Sequence, residues 1–175
     1  AKLLTVETTV IIVAYFIMIL AYSLALKRRV ILDVIIIAVG FVLRATAGAE
    51  AVGAYVSPWL IVCTFTLCMF MGFGKRRCEI AQFDSPEEAK EHRSTLARYT
   101  PELLNSLISV SAGIAIITFL LYTMDKDIET TFPKEHLLYT LPLVVYGIFR
   151  FAMLVESGAV HGPMDIFLKD GPFIG

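Results

Sequence analysis

Five apolar stretches dominate this chain: residues 6–26, 30–51, 56–74, 103–124 and 137–155. A helix of about 20 residues crosses the roughly 30 Å of bilayer hydrocarbon. Lipid offers no hydrogen bonds, so each such segment must satisfy its own backbone, and helix is the open-chain way to do so. The expected fold class is therefore all-α, a polytopic transmembrane helix bundle, with residues 1–175 forming one transmembrane domain. Composition agrees, since 57% of the residues are hydrophobic against about 45–50% in soluble domains. A net charge of -1 excludes broad nucleic-acid affinity, so the charges matter by position.

The connections alternate in character. The first, third and fifth carry Lys27, Arg28, Arg29, Lys75, Arg76, Arg77, Lys90, Arg93, Arg98 and Lys169. The second and fourth carry Lys126 and Lys134 among Glu50, Asp125, Asp127, Glu129 and Glu135. The positive-inside rule places the first set in the cytoplasm, with Tyr55, Trp59 and Tyr122 near the opposite interface. No signal peptide is visible, and both ends read as cuts inside a longer polypeptide, so the chain is expected to be a fragment.

Chemistry concentrates at the basic end. Phe73-Gly74-Lys75-Arg76-Arg77-Cys78-Glu79-Ile80 follows the third apolar stretch and opens a polar connection. If helical, Lys75 and Glu79 share a face one turn apart. An acid beside clustered cations suits a metal-bound polyphosphate; a membrane-stop sequence would look similar. Tyr22 and Ser23 sit one turn inside Lys27, so a phenol, a hydroxyl and an ammonium are offered to a phosphate at the interface. The same cations equally suit anionic membrane lipids.

Two charges fall inside the second stretch. Asp33, near its start, is expected to snorkel or to bind Lys27 or Arg29. Arg44 lies deep, and an intramembrane arginine costs about 2.5–3.5 kcal/mol to insert. It is expected to face the bundle interior, fixing a neighbouring helix or meeting a ligand. Gly40 and Gly48 lie near its face and permit close helix approach. Met69, Phe70 and Met71 suit packing or an isoprenoid-sized groove. Ser85-Pro86-Glu87-Glu88 predicts a short surface helix over residues 86–99. Cys63, Cys68 and Cys78 have no metal-ligand spacing, and Cys63 and Cys68 read as packing residues; His92 and His161 lack a second ligand, and His136 lies on the other side.

Ala21-Tyr22-Ser23-Leu24-Ala25-Leu26-Lys27, Phe41-Val42-Leu43-Arg44-Ala45-Thr46-Ala47-Gly48 and Gly74-Lys75-Arg76-Arg77-Cys78-Glu79 resemble the UbiA-type prenyltransferase superfamily. Ser94-Thr95-Leu96-Ala97-Arg98-Tyr99-Thr100 and Pro163-Met164-Asp165-Ile166 match its decaprenyl-phosphate phosphoribosyltransferase branch. The resemblance runs from end to end. It implies nine transmembrane helices in the cell (inner) membrane around a cavity open to the cytoplasm and laterally to lipid, with this chain supplying the fourth to the eighth and the start of the ninth. Two polar motifs face that cavity. Lys75-x-x-x-Glu79 stands at the second, where aromatic prenyltransferases carry two aspartates. The first, an Asn-Asp-x-x-Asp motif for Mg2+, is absent from the chain, so the fragment alone is expected to be inactive.

The implied reaction moves 5-phosphoribose from phosphoribosyl pyrophosphate to a polyprenyl (decaprenyl-type) phosphate, releasing pyrophosphate for cell-envelope precursor synthesis. Lys75 and Glu79 are the implied catalytic pair, with Glu79 also reaching magnesium. Arg76, Tyr22, Lys27, Arg44 and Asp165 are the implied substrate contacts. Prenyl transfer to an aromatic or lipid acceptor is the alternative within the superfamily, and a transporter subunit the alternative outside it. Homo-oligomerisation stays open.

Overall fold

The computed structural model describes residues 6–83, 95–125 and 134–158. These residues form six α-helices: α1 (Val6–Leu24), α2 (Leu32–Ala51), α3 (Pro58–Ile80), α4 (Pro101–Thr123), α5 (Lys134–Tyr139) and α6 (Leu141–Glu156). There is no strand among them. Four apolar helical segments are long enough to cross a membrane: α2, α3, α4 and Leu137–Glu156, the last comprising the end of α5 with α6. The helix α1 is apolar as well but shorter, ending at Leu24 rather than residue 26, and a 3-10 turn over Leu26–Arg28 follows. The chain is a multi-pass membrane protein. Its outward residues fit lipid: Phe16 is 62% exposed and Phe149 60%, which water would penalise and hydrocarbon does not.

Helix boundaries follow local chemistry. Ser57 caps α3 by accepting from Trp59 N at 3.2 Å, and Thr100 caps α4 by accepting from Leu103 N, each with proline in the first turn. The fifth expected span is interrupted at Thr140: Pro142 has no N–H to continue the ladder, and α6 restarts there.

The helices pack as antiparallel neighbours. Ser57 Oγ donates to Asp125 where α3 begins and α4 ends, while Arg77 Nε donates to Asn105 at the other end of the same pair, 3.3 Å away. The core holds Phe70, Phe73, Leu104, Ile108, Ala112, Ile148, Phe151 and Val155, with the rings of Phe70 and Phe151 tilted at 4.9 Å. Close approach falls at Gly72 and Gly74. A Cβ on Gly72 would lie 2.6 Å from Val34 Cγ1, and one on Gly74 2.6 Å from Phe151 Cε1. The expectation for Gly48 is not met, because among the described residues no neighbour comes within 4 Å of a Cβ placed there; Gly40 meets Met18 and Tyr15 of α1.

One backbone feature has no sequence signal. Ile31 has φ 69° and ψ -48°, and Leu32 N donates to Val30 O at 2.8 Å. This is a γ-turn of the strained, positive-φ kind, unusual for a β-branched residue.

Candidate functional site

Helix α3 does not stop at the edge of its apolar run. It continues to Ile80, so Lys75, Arg76, Arg77 and Glu79 lie on its last turns rather than in a loop. Lysine, arginine and glutamate are good helix formers, and no breaker intervenes. The helical period then separates them. Arg76 and Cys78 turn into the protein, while Lys75 turns out, its side chain 57% exposed.

Arg76 is the centre of the arrangement, with a side chain only 4% exposed. Its Nη1 donates to Glu79 Oε2. Its Nε lies 3.2 Å from Oδ2 of Asp33, which is fully buried in the first turn of α2. That Nε has no aligned hydrogen-bond acceptor, so the Asp33 contact is one of charge rather than a directed bond. Tyr99 completes the set from the segment before α4. Its hydroxyl donates to Asp33 Oδ1 at 2.8 Å and accepts from Ile31 N at 2.6 Å. Burial, the largest influence, pushes the Tyr99 phenol well above its ordinary value of 10, so it stays a neutral donor.

Asp33 thus finds its partners in Arg76 and Tyr99, not in Lys27 or Arg29 as expected. Arg76, expected to hold phosphate, has its guanidinium engaged by two carboxylates. Lys75 is different. Its Nζ is 3.9 Å from Glu79 Oε1, a loose i,i+4 contact whose partner is already engaged by Arg76. Exposed pairs of this kind are worth about 0.3–0.5 kcal/mol, so an arriving anion displaces it cheaply.

A cavity of about 430 Å³ lies beside this cluster. Val34, Ile37, Phe41, Cys68, Met71 and Gly72 line it together with Lys75 and Arg76, which stand toward the last turns of α3. Met71 lines it, whereas Phe70 packs in the core. The chamber therefore offers hydrocarbon walls with two cations in the lining.

The other expected residues lie elsewhere. Arg44 is exposed, not interior: it donates to Tyr15 OH of α1 and stacks its guanidinium 4.3 Å from the Phe41 ring. The Tyr15 contact ties α2 to α1, whereas Phe41 belongs to α2 itself and offers the guanidinium a ring face. Lys27 is exposed in the 3-10 turn and Tyr22 half-buried near the end of α1, and neither lines the cavity. Asp165 and most of the 86–99 surface helix lie outside the described residues. Among the described residues no three His, Cys, Asp or Glu side chains converge on a metal position. Glu79 faces two cations and Asp33 is enclosed by Arg76 and Tyr99, so these carboxylates do not by themselves fit a magnesium site.

Comparison with known proteins bears on this arrangement. A protein named decaprenyl-phosphate phosphoribosyltransferase from Mycolicibacterium smegmatis is 28% identical over 173 residues, covering 95% of this chain and 54% of that protein. The protein of the same name from Corynebacterium glutamicum is 26% identical over 160 residues, covering 91% and 48%. This chain is similar to decaprenyl-phosphate phosphoribosyltransferases. It spans about half the length of these phosphoribosyltransferase relatives. An uncharacterized protein of Sinorhizobium fredii is 31% identical over 181 residues, covering the whole chain and 35% of its own length. No family model matches the chain.

Proposed function

We propose that this chain is part of a membrane transferase that moves 5-phosphoribose from phosphoribosyl pyrophosphate to a polyprenyl phosphate, with pyrophosphate released. The observation that carries the reading is the apolar cavity with Lys75 in its lining, because the acceptor would be a long hydrocarbon bearing one phosphate. Similarity to the phosphoribosyltransferases supplies the reaction class.

In this reading Lys75 leaves Glu79 and orients the lipid phosphate at the cavity. A phosphate oxygen attacks C1 of the ribose, the C1–O bond to pyrophosphate breaks, and the electron pair leaves with pyrophosphate. The attacking oxygen is already ionised, so the protein need supply no base. Fixed cations stabilise the charge as it moves to the leaving group. Arg76, held by Asp33 and Glu79, contributes its field from a fixed position rather than by reaching out. Mg2+ would neutralise the departing pyrophosphate, as the resemblance implies, and the described residues do not by themselves form its site.

The basic ends of the helices face the cytoplasm, by the excess of lysine and arginine in those connections, and the chain acts as one transmembrane unit within a longer polypeptide. The test is to incubate membranes holding the full-length polypeptide with polyprenyl phosphate and phosphoribosyl pyrophosphate labelled in the ribose. Label entering the lipid-extractable fraction, and lost with Lys75→Ala while membrane insertion is retained, is the expected result. Label entering lipid only from a prenyl diphosphate and an aromatic acceptor would establish the other chemistry of the superfamily instead.

A further inference from the structure

We infer that Tyr99 is a positioning residue that keeps Lys75 available for an anion by holding Arg76 between two carboxylates. The inference rests on the proposed reading of Lys75 as the anion contact of this site. Ile31, Tyr99, Asp33, Arg76, Glu79 and Lys75 form a continuous relay. Ile31 N donates to the Tyr99 hydroxyl at 2.6 Å, that hydroxyl donates to Asp33 at 2.8 Å, and Asp33 stands 3.2 Å from Arg76. Arg76 bonds Glu79, and Glu79 stands 3.9 Å from Lys75.

The relay apportions two acids between two cations. The Tyr99 hydroxyl gives Asp33 Oδ1 an aligned donor, while Arg76 Nε stands beside Oδ2 without alignment. Arg76 can then turn its Nη1 toward Glu79 and absorb that carboxylate's charge. Lys75 is left weakly paired in the lining of the cavity. Without the hydroxyl, Arg76 turns both faces of its guanidinium fork to Asp33, Glu79 is released, and Glu79 pairs fully with Lys75. The anion site is neutralised although no residue lining the cavity has changed. A strained turn at Ile31 pinned by the same hydroxyl is the sort of stored distortion that accumulates where geometry is demanding.

The test is equilibrium binding of dodecyl phosphate, an apolar chain with one phosphate, to the detergent-purified full-length protein. Tyr99→Phe is expected to weaken binding by roughly tenfold, about 1.4 kcal/mol. Adding Glu79→Gln to Tyr99→Phe is expected to restore it, because the carboxylate that would pair with Lys75 is then neutral. A purely structural role for Tyr99 gives no such rescue. Unchanged affinity in Tyr99→Phe, or a loss that Glu79→Gln does not repair, overturns the inference. Should Tyr99→Phe not fold, Glu79→Gln in the otherwise native protein decides. A change below about twofold, under roughly 0.4 kcal/mol, supports the relay, since Arg76 already occupies Glu79; tightening by roughly tenfold overturns it. If binding follows these expectations while no phosphoribose reaches lipid, the positioning role stands and the proposed reaction fails.

Discussion

Asp33 and Arg76 form a buried pair that ties the start of α2 to the last turns of α3, Nε to Oδ2 3.2 Å apart, with Tyr99 on the far side of the carboxylate. Removing one partner strands the other. Asp33→Ala should destabilise the folded protein by about 3–5 kcal/mol, because it leaves a buried guanidinium with one acid fewer. Arg76→Met added to Asp33→Ala should recover much of that loss. Denaturant unfolding of the four combinations in detergent checks this, and strictly additive losses would contradict it.

Gly72 and Gly74 set the distance of α3 from its neighbours on two sides. Alanine at either position drives a methyl to 2.6 Å from Val34 or Phe151, both buried. Overpacking of this kind costs about 1–3 kcal/mol. Gly72→Ala should be rescued by Val34→Ala and Gly74→Ala by Phe151→Leu, and neither by the other's partner. Thermal unfolding of the crossed pairs measures the specificity.

Cys68 and Cys78 distinguish the cavity from the core. Cys68 lines the cavity, whereas Cys78 is fully buried. In single-cysteine proteins, Cys68 should react with a small methanethiosulfonate reagent and be protected by dodecyl phosphate. Cys78 should react only on unfolding. Equal labelling of Cys68 with and without the amphiphile would place the chain of the ligand elsewhere.

Tyr99 should show itself at alkaline pH. Its phenol is held above the ordinary value of 10, chiefly by burial. The folded state therefore keeps a proton that the unfolded state has lost, and stability falls as pH rises past 10. In absorbance at 295 nm, Tyr99→Phe should leave the phenolate rise of the folded protein between about pH 10 and 12 unchanged. A rise smaller by one tyrosine would show that Tyr99 titrates normally.

Much of the architecture was legible because lipid permits few alternatives. Four long apolar helices and the shorter α1 fall where hydropathy places them, and Lys75 and Glu79 stand one turn apart on α3. What escaped was partnership. Nothing local distinguishes Arg76 from Lys27 or Arg29 as the mate of Asp33; the choice depends on how α2 and α3 cross. Tyr99 is 66 residues from Asp33, and a tyrosine before Thr-Pro reads only as the approach to a helix. The exposed setting of Arg44 was missed for a related reason: cost of insertion says a charge needs a partner, but a tyrosine and a phenylalanine ring on the bundle surface can provide it.

The γ-turn at Ile31 reverses the chain within one residue, so α2 begins abruptly and Asp33 enters its helix at a fixed azimuth. Each residue of helix advances the azimuth by about 100°. A one-residue insertion between Arg29 and Asp33 would therefore swing the carboxylate away from Arg76 without altering any side chain of the site. Along this short connection, length is constrained more tightly than composition: many substitutions can be accommodated, but not a change of count.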